Sequence, residues 1–270
     1  NNMGELMGGA ATSYNAFTEM LNNKDLLKEQ YDILAGSLPS NYNEVVLLVN
    51  KDNCISDYAL YAIGILDSNE LVEKYKTVLN GGKVEDLEEL SYTYDELLEN
   101  KFKVLLNTDY YEKNGKIWVD KRENEKFLNN KLKNALELKV VGIIKAKDET
   151  VTANTYGGIL YTSELTKYVI EQIKESKIAQ EQLANEKINV FTNNEFSGKE
   201  FNMNDLSNAE KAYLASLSQE KLAEVIKNYQ ENANATYEAN LKKLGIVDLE
   251  KPSIINIYAK GGRRRWRIMD

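Results

Sequence analysis

The chain has 270 residues, 43% of them hydrophobic, and a formal net charge of −8 at pH 7. This length and composition indicate a folded protein with a substantial core, and the negative charge disfavours nucleic acid and anionic lipid as partners. Histidine is absent and cysteine occurs once, which excludes a Ser-His-Asp triad, a histidine-containing metal site and an internal disulfide. The longest apolar runs, Val45–Val49 and Val140–Ile144, have the length of strands and not of a membrane helix.

The first half of the chain predicts alternating helices and strands. Residues 1–23 are predicted to form a flexible lead-in, because small and polar residues predominate there. Capping residues around Asn23 begin a predicted helix that ends at Gly36, and the apolar run after Glu44 predicts a strand over 44–50 that is buried on both faces. The same signals predict further elements: a helix over 56–63 ending at Gly64, a helix over 68–79 ending at Gly81, a capping box formed by Thr93 and Glu96, a strand over 101–107, a turn at Asn114-Gly115 and its partner strand over 116–119.

The second half begins with a predicted helix over 122–135. Leu136–Ala146 then predicts a strand, in which Gly142 indicates a bulge or the close approach of another backbone. The remaining predicted elements are a strand over 158–161, a helix over 163–175, a strand over 187–192, a helical region over 207–244 and a strand over 253–259. The helical region begins with a capping box formed by Ser207 and Glu210, breaks near Leu217 and ends at Gly245.

Interleaved strands and helices with a hairpin predict an α+β fold, with a mixed β-sheet core and a C-terminal helical arm. We expect the α+β core to span 24–195 with an insertion at about 67–135, and the helical arm and a returning strand to span 196–260. Residues 261–270 are predicted to be a non-native tail, because the composition changes abruptly to arginine there, at positions 263–265 and 267. The alternative is a native basic anchor for phosphate or membrane.

Several groups of residues resemble reactive sites but fit structural roles better. The acidic residues of 85–96 lack the alternating oxygen ligands of a calcium loop, which predicts a solvated face. Gly157-Gly158 matches neither phosphate-loop pattern. The tyrosines near 109–111 and 156–161 could line a ligand cleft, or, as amphipathic residues, lie at core edges. Cys54 is predicted to lie in a turn after a strand. We therefore expect no catalytic residue, cofactor or metal.

Four segments together resemble the extracytoplasmic core domain of MacB/FtsX-type ABC transporter permeases, in particular the large Firmicutes versions. The segments are Tyr31–Gly36 with the following Asn43–Leu47, then Asp57–Gly64, Leu138–Ile144 and Ile254–Ala259. They resemble, in order, the family's turn before a Val-Val strand, its short helix ending in Leu-Gly, its Val-Val-Gly-Ile strand and the strand that returns toward the membrane. The residues that carry the family motifs are Gly36, Val45, Val46, Gly64, Val140, Val141, Gly142 and Ile143.

The resemblance implies a non-catalytic module at the extracellular face of the cell membrane, joined to it through segments absent from this chain. Its expected partners are the rest of the permease and, indirectly, the ATPase subunit, together with an exported peptide, a lipid-linked substrate or an accessory protein. The family's first strand would precede residue 1, so the resemblance implies an incomplete domain. The alternative function is a stand-alone secreted or surface adhesion module of the same fold. The residues indicate neither the substrate nor the oligomeric state.

Overall fold

The computed structural model describes residues 16–55, 57–67, 73, 76–82, 91–147, 158–196, 204, 206–219, 221–222, 226 and 234–250. The chain forms two units. Unit 1 comprises residues 1–104, 135–168 and 254–270, and unit 2 comprises residues 105–134 and 169–253. In this division, residues 169–195 belong to unit 2 together with residues of the predicted C-terminal arm.

Short strands and helices alternate along the described residues, and unit 1 is built on a mixed sheet. The elements in chain order are β1 (Phe17–Glu19), α1 (Lys24–Gln30), β2 (Tyr31–Gly36), β3 (Glu44–Val49), α2 (Asp57–Ala62), α3 (Tyr94–Leu98), β4 (Lys101–Val104), a 3-10 helix (Asn107–Tyr110), β5 (Tyr111–Asn114), β6 (Ile117–Asp120), α4 (Glu125–Lys133), β7 (Leu136–Ala146), β8 (Gly158–Tyr161), α5 (Ser163–Glu175), α6 (Lys177–Ala184), β9 (Ile188–Asn189), β10 (Asn194–Glu195), α7 (Asn208–Ala215) and α8 (Tyr237–Leu244).

The sheet of unit 1 has the strand order β1-β8-β3-β7-β2, and β4 also pairs with β7. β3 is parallel to β7 and antiparallel to β8, whereas β2 and β4 lie end to end along β7, both antiparallel to it. The predicted α+β class with a mixed sheet is confirmed. The long strand β7 joins the others because its 11 residues pair with β3 on one side and with two shorter strands on the other.

The predicted buried strands over 44–50 and 138–146 are confirmed as β3 and β7. From Val45 to Val49 each residue of β3 is at most 5% exposed, so both faces of the strand are covered. Val46 and Leu48 pack in one cluster with Met20, Leu27, Ile144 and Leu160. Because successive side chains of a strand point to opposite faces, Val45, Leu47 and Val49 are buried on the other face.

A bulge and two close glycines fix the register in the middle of β7. The pairing of β3 with β7 passes from Val140 directly to Gly142 and leaves Val141 as the extra residue, which confirms the predicted bulge. Gly36 lies opposite Gly142. A Cβ atom on Gly36 would lie 2.1 Å from the Val141 carbonyl oxygen, and one on Gly142 would lie 2.2 Å from the Ser37 carbonyl oxygen. The two backbones therefore approach too closely for any side chain here.

The predicted helix that ends at Gly36 is wrong in its second half. The helix begins as predicted, with the Asn23 side chain accepting bonds from two backbone N–H groups, but it stops at Gln30. Residues 31–36 form β2 instead, because their backbone pairs with β7. This tertiary pairing outweighs the helical spacing of Tyr31 and Leu34.

The predicted hairpin has the right turn and the wrong first strand. β5 and β6 pair on either side of Asn114-Gly115, whereas the strand predicted over 101–107 is β4 and pairs with β7. The helix α4 confirms the prediction over 122–135. The helix α6 was not predicted, although Ser176 caps it and provides the sequence signal.

The remaining predictions have mixed outcomes. Among the capping and glycine signals, both capping boxes and the helix stop at Gly245 are confirmed. Of the strand predicted over 187–192, only the two residues of β9 form a strand. The helical region breaks a second time at 234–236, before the Thr236 cap of α8. The predictions for residues 1–15, 253–259 and 261–270 lie outside the described residues.

The core of unit 2 combines apolar side chains with three buried amides. Tyr111, Ile178 and Leu244 are each at most 2% exposed and belong to one apolar cluster. Beside it the Asn240 amide donates to Gln182 Oε1 at 2.8 Å and to Asn189 Oδ1 at 2.9 Å. The Gln182 amide donates in turn to the backbone oxygens of Asn185 and Ile188. These bonds satisfy groups whose burial without partners would destabilise the fold.

Gly36→Ala should destabilise the chain far more than Gly64→Ala. Both glycines have positive φ, +69° and +77°, but no atom lies within 4 Å of a Cβ on Gly64. Gly64→Ala should therefore cost about 1–2 kcal/mol from backbone strain alone. Gly36→Ala adds a clash with a backbone carbonyl and should cost more than about 3 kcal/mol. Urea unfolding measures both values, and equal costs would contradict the close approach.

A second constraint on unit 1 is the carboxylate of Glu44, which closes the loop before β3. It accepts hydrogen bonds from the Ser40 N–H at 2.7 Å, the Ser40 hydroxyl at 3.0 Å, the Asn41 N–H at 3.1 Å and the Asn41 amide at 2.7 Å. Burial by itself raises the pKa of this carboxyl, but the four bonds outweigh burial and lower its pKa from 4.5 to about 2.

Glu44→Gln should lower the free energy of unfolding at neutral pH by about 1 kcal/mol, since part of each bond's strength is screened by solvent. Because the pKa of Glu44 is depressed in the folded state, its contribution is complete above pH 4.5 and is lost as the pH falls toward 2. The difference between the variant and the unchanged chain should shrink over that interval. Urea unfolding across the interval tests this, with Glu29→Gln, an exposed position, as the control. A difference in unfolding free energy that stays constant with pH would contradict the lowered pKa of Glu44.

Candidate functional site

The residues that carry the family resemblance form part of the protein's framework and do not line a reactive site. Val45, Val46 and Ile143 are 0% exposed and Val140 is 3% exposed. Gly36, Val141 and Gly142 form the bulge and the close approach described above, and Gly64 ends the turn after α2. Three of the four segments thus meet in unit 1, where α2 packs against β8. The fourth segment, 254–259, lies outside the described residues.

The groups singled out for chemistry have structural surroundings wherever they are described. Glu96 accepts bonds from the Thr93 N–H at 2.7 Å and hydroxyl at 2.8 Å, and these bonds lower its pKa. Gly158 begins β8, so it does not form a loop ahead of a helix. Cys54 is exposed in the turn after β3, as predicted, with its N–H donating to Asn50 Oδ1. The acidic residues 85–89 lie outside the described residues.

The described residues contain no group of three or more Cys, Asp or Glu side chains that could hold a metal ion. Likewise, no helix among these residues is long and apolar enough to cross a bilayer.

Of the tyrosines predicted to line a cleft or to lie at core edges, Tyr111 lies inside the core of unit 2, and Tyr110 and Tyr161 are partly buried. Tyr111 is 2% exposed within the core of unit 2, and Tyr110 packs against the same cluster. Tyr161 ends β8, opposite Val45. Burial raises the pKa of both the Tyr111 and the Tyr161 hydroxyls, so both phenols remain neutral donors near neutral pH.

Unit 2 contains an arrangement that the sequence did not predict, a cation–aromatic cluster of Tyr110, Tyr111, Phe191, Arg122 and Lys243. The Arg122 guanidinium lies 5.0 Å from the Tyr110 ring centroid and donates to the Tyr111 hydroxyl at 3.2 Å. The Lys243 ammonium lies 4.5 Å from the Phe191 ring centroid. Nothing in the spacing of these residues indicates their proximity, because three separate segments contribute them.

A second arrangement fastens the hairpin of unit 2 to α6. The Glu181 carboxylate accepts hydrogen bonds from the Lys113 ammonium and, at 2.8 Å, from the Trp118 indole N–H. Burial by itself raises the pKa of Glu181, but these bonds and the charges of Lys113 and Lys177 lower it overall. The Trp118 backbone N–H also donates to the Val190 carbonyl at 3.0 Å. An ion pair, a side-chain hydrogen bond and a backbone hydrogen bond therefore hold the hairpin to the rest of unit 2.

The surface of unit 2 has one further feature, a groove of about 730 Å³ along α4. The lining residues on α4 include Lys126, Asn129, Asn130 and Lys133, and Glu112 of β5 also lines the groove. This volume falls within the range of small-molecule sites. Apart from the polar face of a predicted helix, nothing in the sequence indicates the groove.

Comparisons of the chain with protein-family models, with curated proteins and with solved structures give no match.

The Arg122–Tyr111 pair should show energetic coupling. Arg122→Gln should lower the free energy of unfolding by about 1 kcal/mol, because it removes the cation–π contacts and a hydrogen bond. Tyr111→Phe should then cost less in the Arg122→Gln background than in the unchanged chain, because the hydroxyl has already lost its donor. Urea unfolding of the double-mutant cycle measures the coupling. Lys116→Gln, at an exposed hairpin position, is the control. Strictly additive losses of unfolding free energy in the Arg122 and Tyr111 variants would contradict the coupling between the two side chains.

Proposed function

We propose that this chain is a non-catalytic extracellular module of an ABC transporter permease, one that couples transporter motion to an exported substrate or an accessory partner. The observation that carries the proposal is the sheet of unit 1. The segments that resemble MacB/FtsX-type permeases are distant in the sequence, yet they lie together as β3, β7 and the end of β2. Segments that together form the framework of one domain are expected to pack against each other in the fold.

The role is mechanical, and the framework of unit 1 suits it. β3 is hydrogen-bonded by strands on both sides and is covered on both faces. A close-packed interior has low compressibility and transmits strain. Motion applied to unit 1 would therefore displace it as a body and would not be absorbed by deformation of its sheet.

Unit 2 supplies surfaces that suit the partner-binding part of the role. It is made from two inserts in the chain of unit 1, residues 105–134 and 169–253. Its surface carries a groove, and its cation–aromatic cluster holds one arginine and one lysine. Under this proposal, the partners are the rest of the permease, the ATPase subunit indirectly, and an exported peptide or lipid-linked substrate.

The second candidate function is a stand-alone secreted or surface adhesion module of the same fold. The same sheet and the same surfaces of unit 2 would serve it. The two functions differ in how the chain is held at the cell: a permease module is part of a membrane polypeptide with an ATPase partner, and an adhesion module is not.

The proposal is tested in cells of the encoding organism with an antibody raised against this chain. The antibody should detect a membrane-fraction polypeptide larger than 30.7 kDa that protease degrades when added to intact cells. Purification from a detergent extract should recover an ATPase subunit. Recovery of the antigen from the medium or cell wall, without an ATPase, would support the adhesion module instead. An antigen protected from protease in intact cells would refute both.

A further inference from the structure

The hairpin of unit 2 turns directly after an exposed asparagine. Asn114 ends β5 and pairs with Ile117, the first residue of β6, so Gly115 and Lys116 form the loop between the strands. Gly115 has a φ of +60°, and a glycine with positive φ at the first loop position is typical of a type II′ turn. Asn114, Gly115 and Lys116 are all exposed, so water reaches the whole turn.

An asparagine that precedes a glycine carries a reactive pair of groups. The glycine nitrogen attacks the side-chain amide carbon, a new C–N bond closes a succinimide ring, and the nitrogen's proton leaves with the side-chain amino group as ammonia. Water then opens the ring at either carbonyl, which gives aspartate or isoaspartate. Glycine favours the attack because it has no side chain to obstruct its nitrogen and because its backbone turns readily.

Neither reacting group is engaged at this turn. Among the described residues, no hydrogen bond involves the Asn114 side-chain amide or the Gly115 N–H. A Cβ atom on Gly115 would meet no atom within 4 Å, so the ring has room to form. The pairing of Asn114 with Ile117 holds the asparagine extended, and ring closure therefore requires a brief local opening at this end of the hairpin.

The chain contains a second Asn-Gly pair, Asn80-Gly81, which provides an internal comparison. Asn80 is also exposed, and it follows the helical residues 76–79. The Gly81 N–H, however, donates to the Val78 carbonyl at 3.0 Å. Both sites need a local opening of the backbone, but at Asn80 the attacking nitrogen must also give up this bond. We therefore expect conversion at Asn80 to be about two- to tenfold slower.

Modification at Asn114 would change the part of the hairpin that is fastened to α6. Either product places a carboxylate next to Lys113, whose ammonium donates to the Glu181 carboxylate. Isoaspartate also adds a carbon to the main chain at the last residue of β5, which disturbs the pairing with Ile117. Trp118 follows Ile117 and donates to Glu181 at 2.8 Å, so the isoaspartate form should hold α6 less firmly.

From this geometry we propose that Asn114 is a site of spontaneous deamidation in the folded chain, with a rate set by the opening of the hairpin end. The reaction consumes water, releases ammonia and needs no enzyme. It adds one negative charge and, in the isoaspartate form, alters the backbone of the turn. The site lies in unit 2 alone and depends on neither candidate function of the chain.

The test is incubation of the full folded chain at mildly alkaline pH, followed by cleavage after glutamate and mass spectrometry. Cleavage after Glu112 and Glu123 releases a peptide in which Asn114 is the only amide residue, and Asn80 lies in a different peptide. The Asn114 peptide should gain the mass of an amide-to-acid conversion sooner than the Asn80 peptide. Electron-transfer fragmentation should identify both aspartate and isoaspartate at position 114.

The chain unfolded in urea is the reference, because there both Asn-Gly pairs should convert at similar rates. If Asn114 converts in urea but not in the folded chain, the proposal is wrong. Conversion of Asn80 as fast as Asn114 in the folded chain would also contradict it, since the free Gly115 nitrogen would then give no advantage.

Variants test the dependence on hairpin opening. Glu181→Gln removes the ion pair with Lys113 and should speed conversion at Asn114 about twofold or more, with no change at Asn80. Glu186→Gln, at an exposed position after α6, is the matched control and should change neither rate. Circular dichroism and melting temperature identify a variant that has lost its fold. Equal effects of folded E181Q and E186Q on Asn114 would overturn the proposal.

Discussion

The parallel pairing of β3 with β7 is the interaction on which the rest of unit 1 depends. β7 is long enough to pair with both β2 and β4 on its other side. β3 pairs with β8 on its own other side, and β8 pairs with β1. The register of β3 on β7 shifts at the bulge at Val141, and on the other side of β7 the strand β2 is held by the close approach of Gly36 to Gly142. A side chain at either glycine would push β2 away from β7, so this pairing depends on two residues that have no side chain.

Unit 2 relies more on polar contacts, because its strands have only two to four residues each. Its hairpin is held by Glu181 through Lys113 and Trp118, and its helices α6 and α8 share the buried amides Gln182 and Asn240. These polar contacts are directional, so they specify one arrangement of the elements where apolar packing alone would permit several.

The proposed transport role rests on the sheet of unit 1, where the residues that resemble the permease family form the framework. Val45, Val46 and Ile143 of that sheet are fully buried.

The sequence by itself determined the elements whose signals are local. The apolar runs of β3 and β7, the caps at Thr93 and Ser207, the turn at Asn114-Gly115 and the bounds of β8 and α5 all follow from neighbouring residues. The tertiary structure decided what depends on distant partners. Residues 31–36 became a strand because β7 was available to pair, and β4 paired with β7 rather than with the hairpin. The groove and the cation–aromatic cluster also belong to this second class, since side chains from separate segments meet only once the chain has folded.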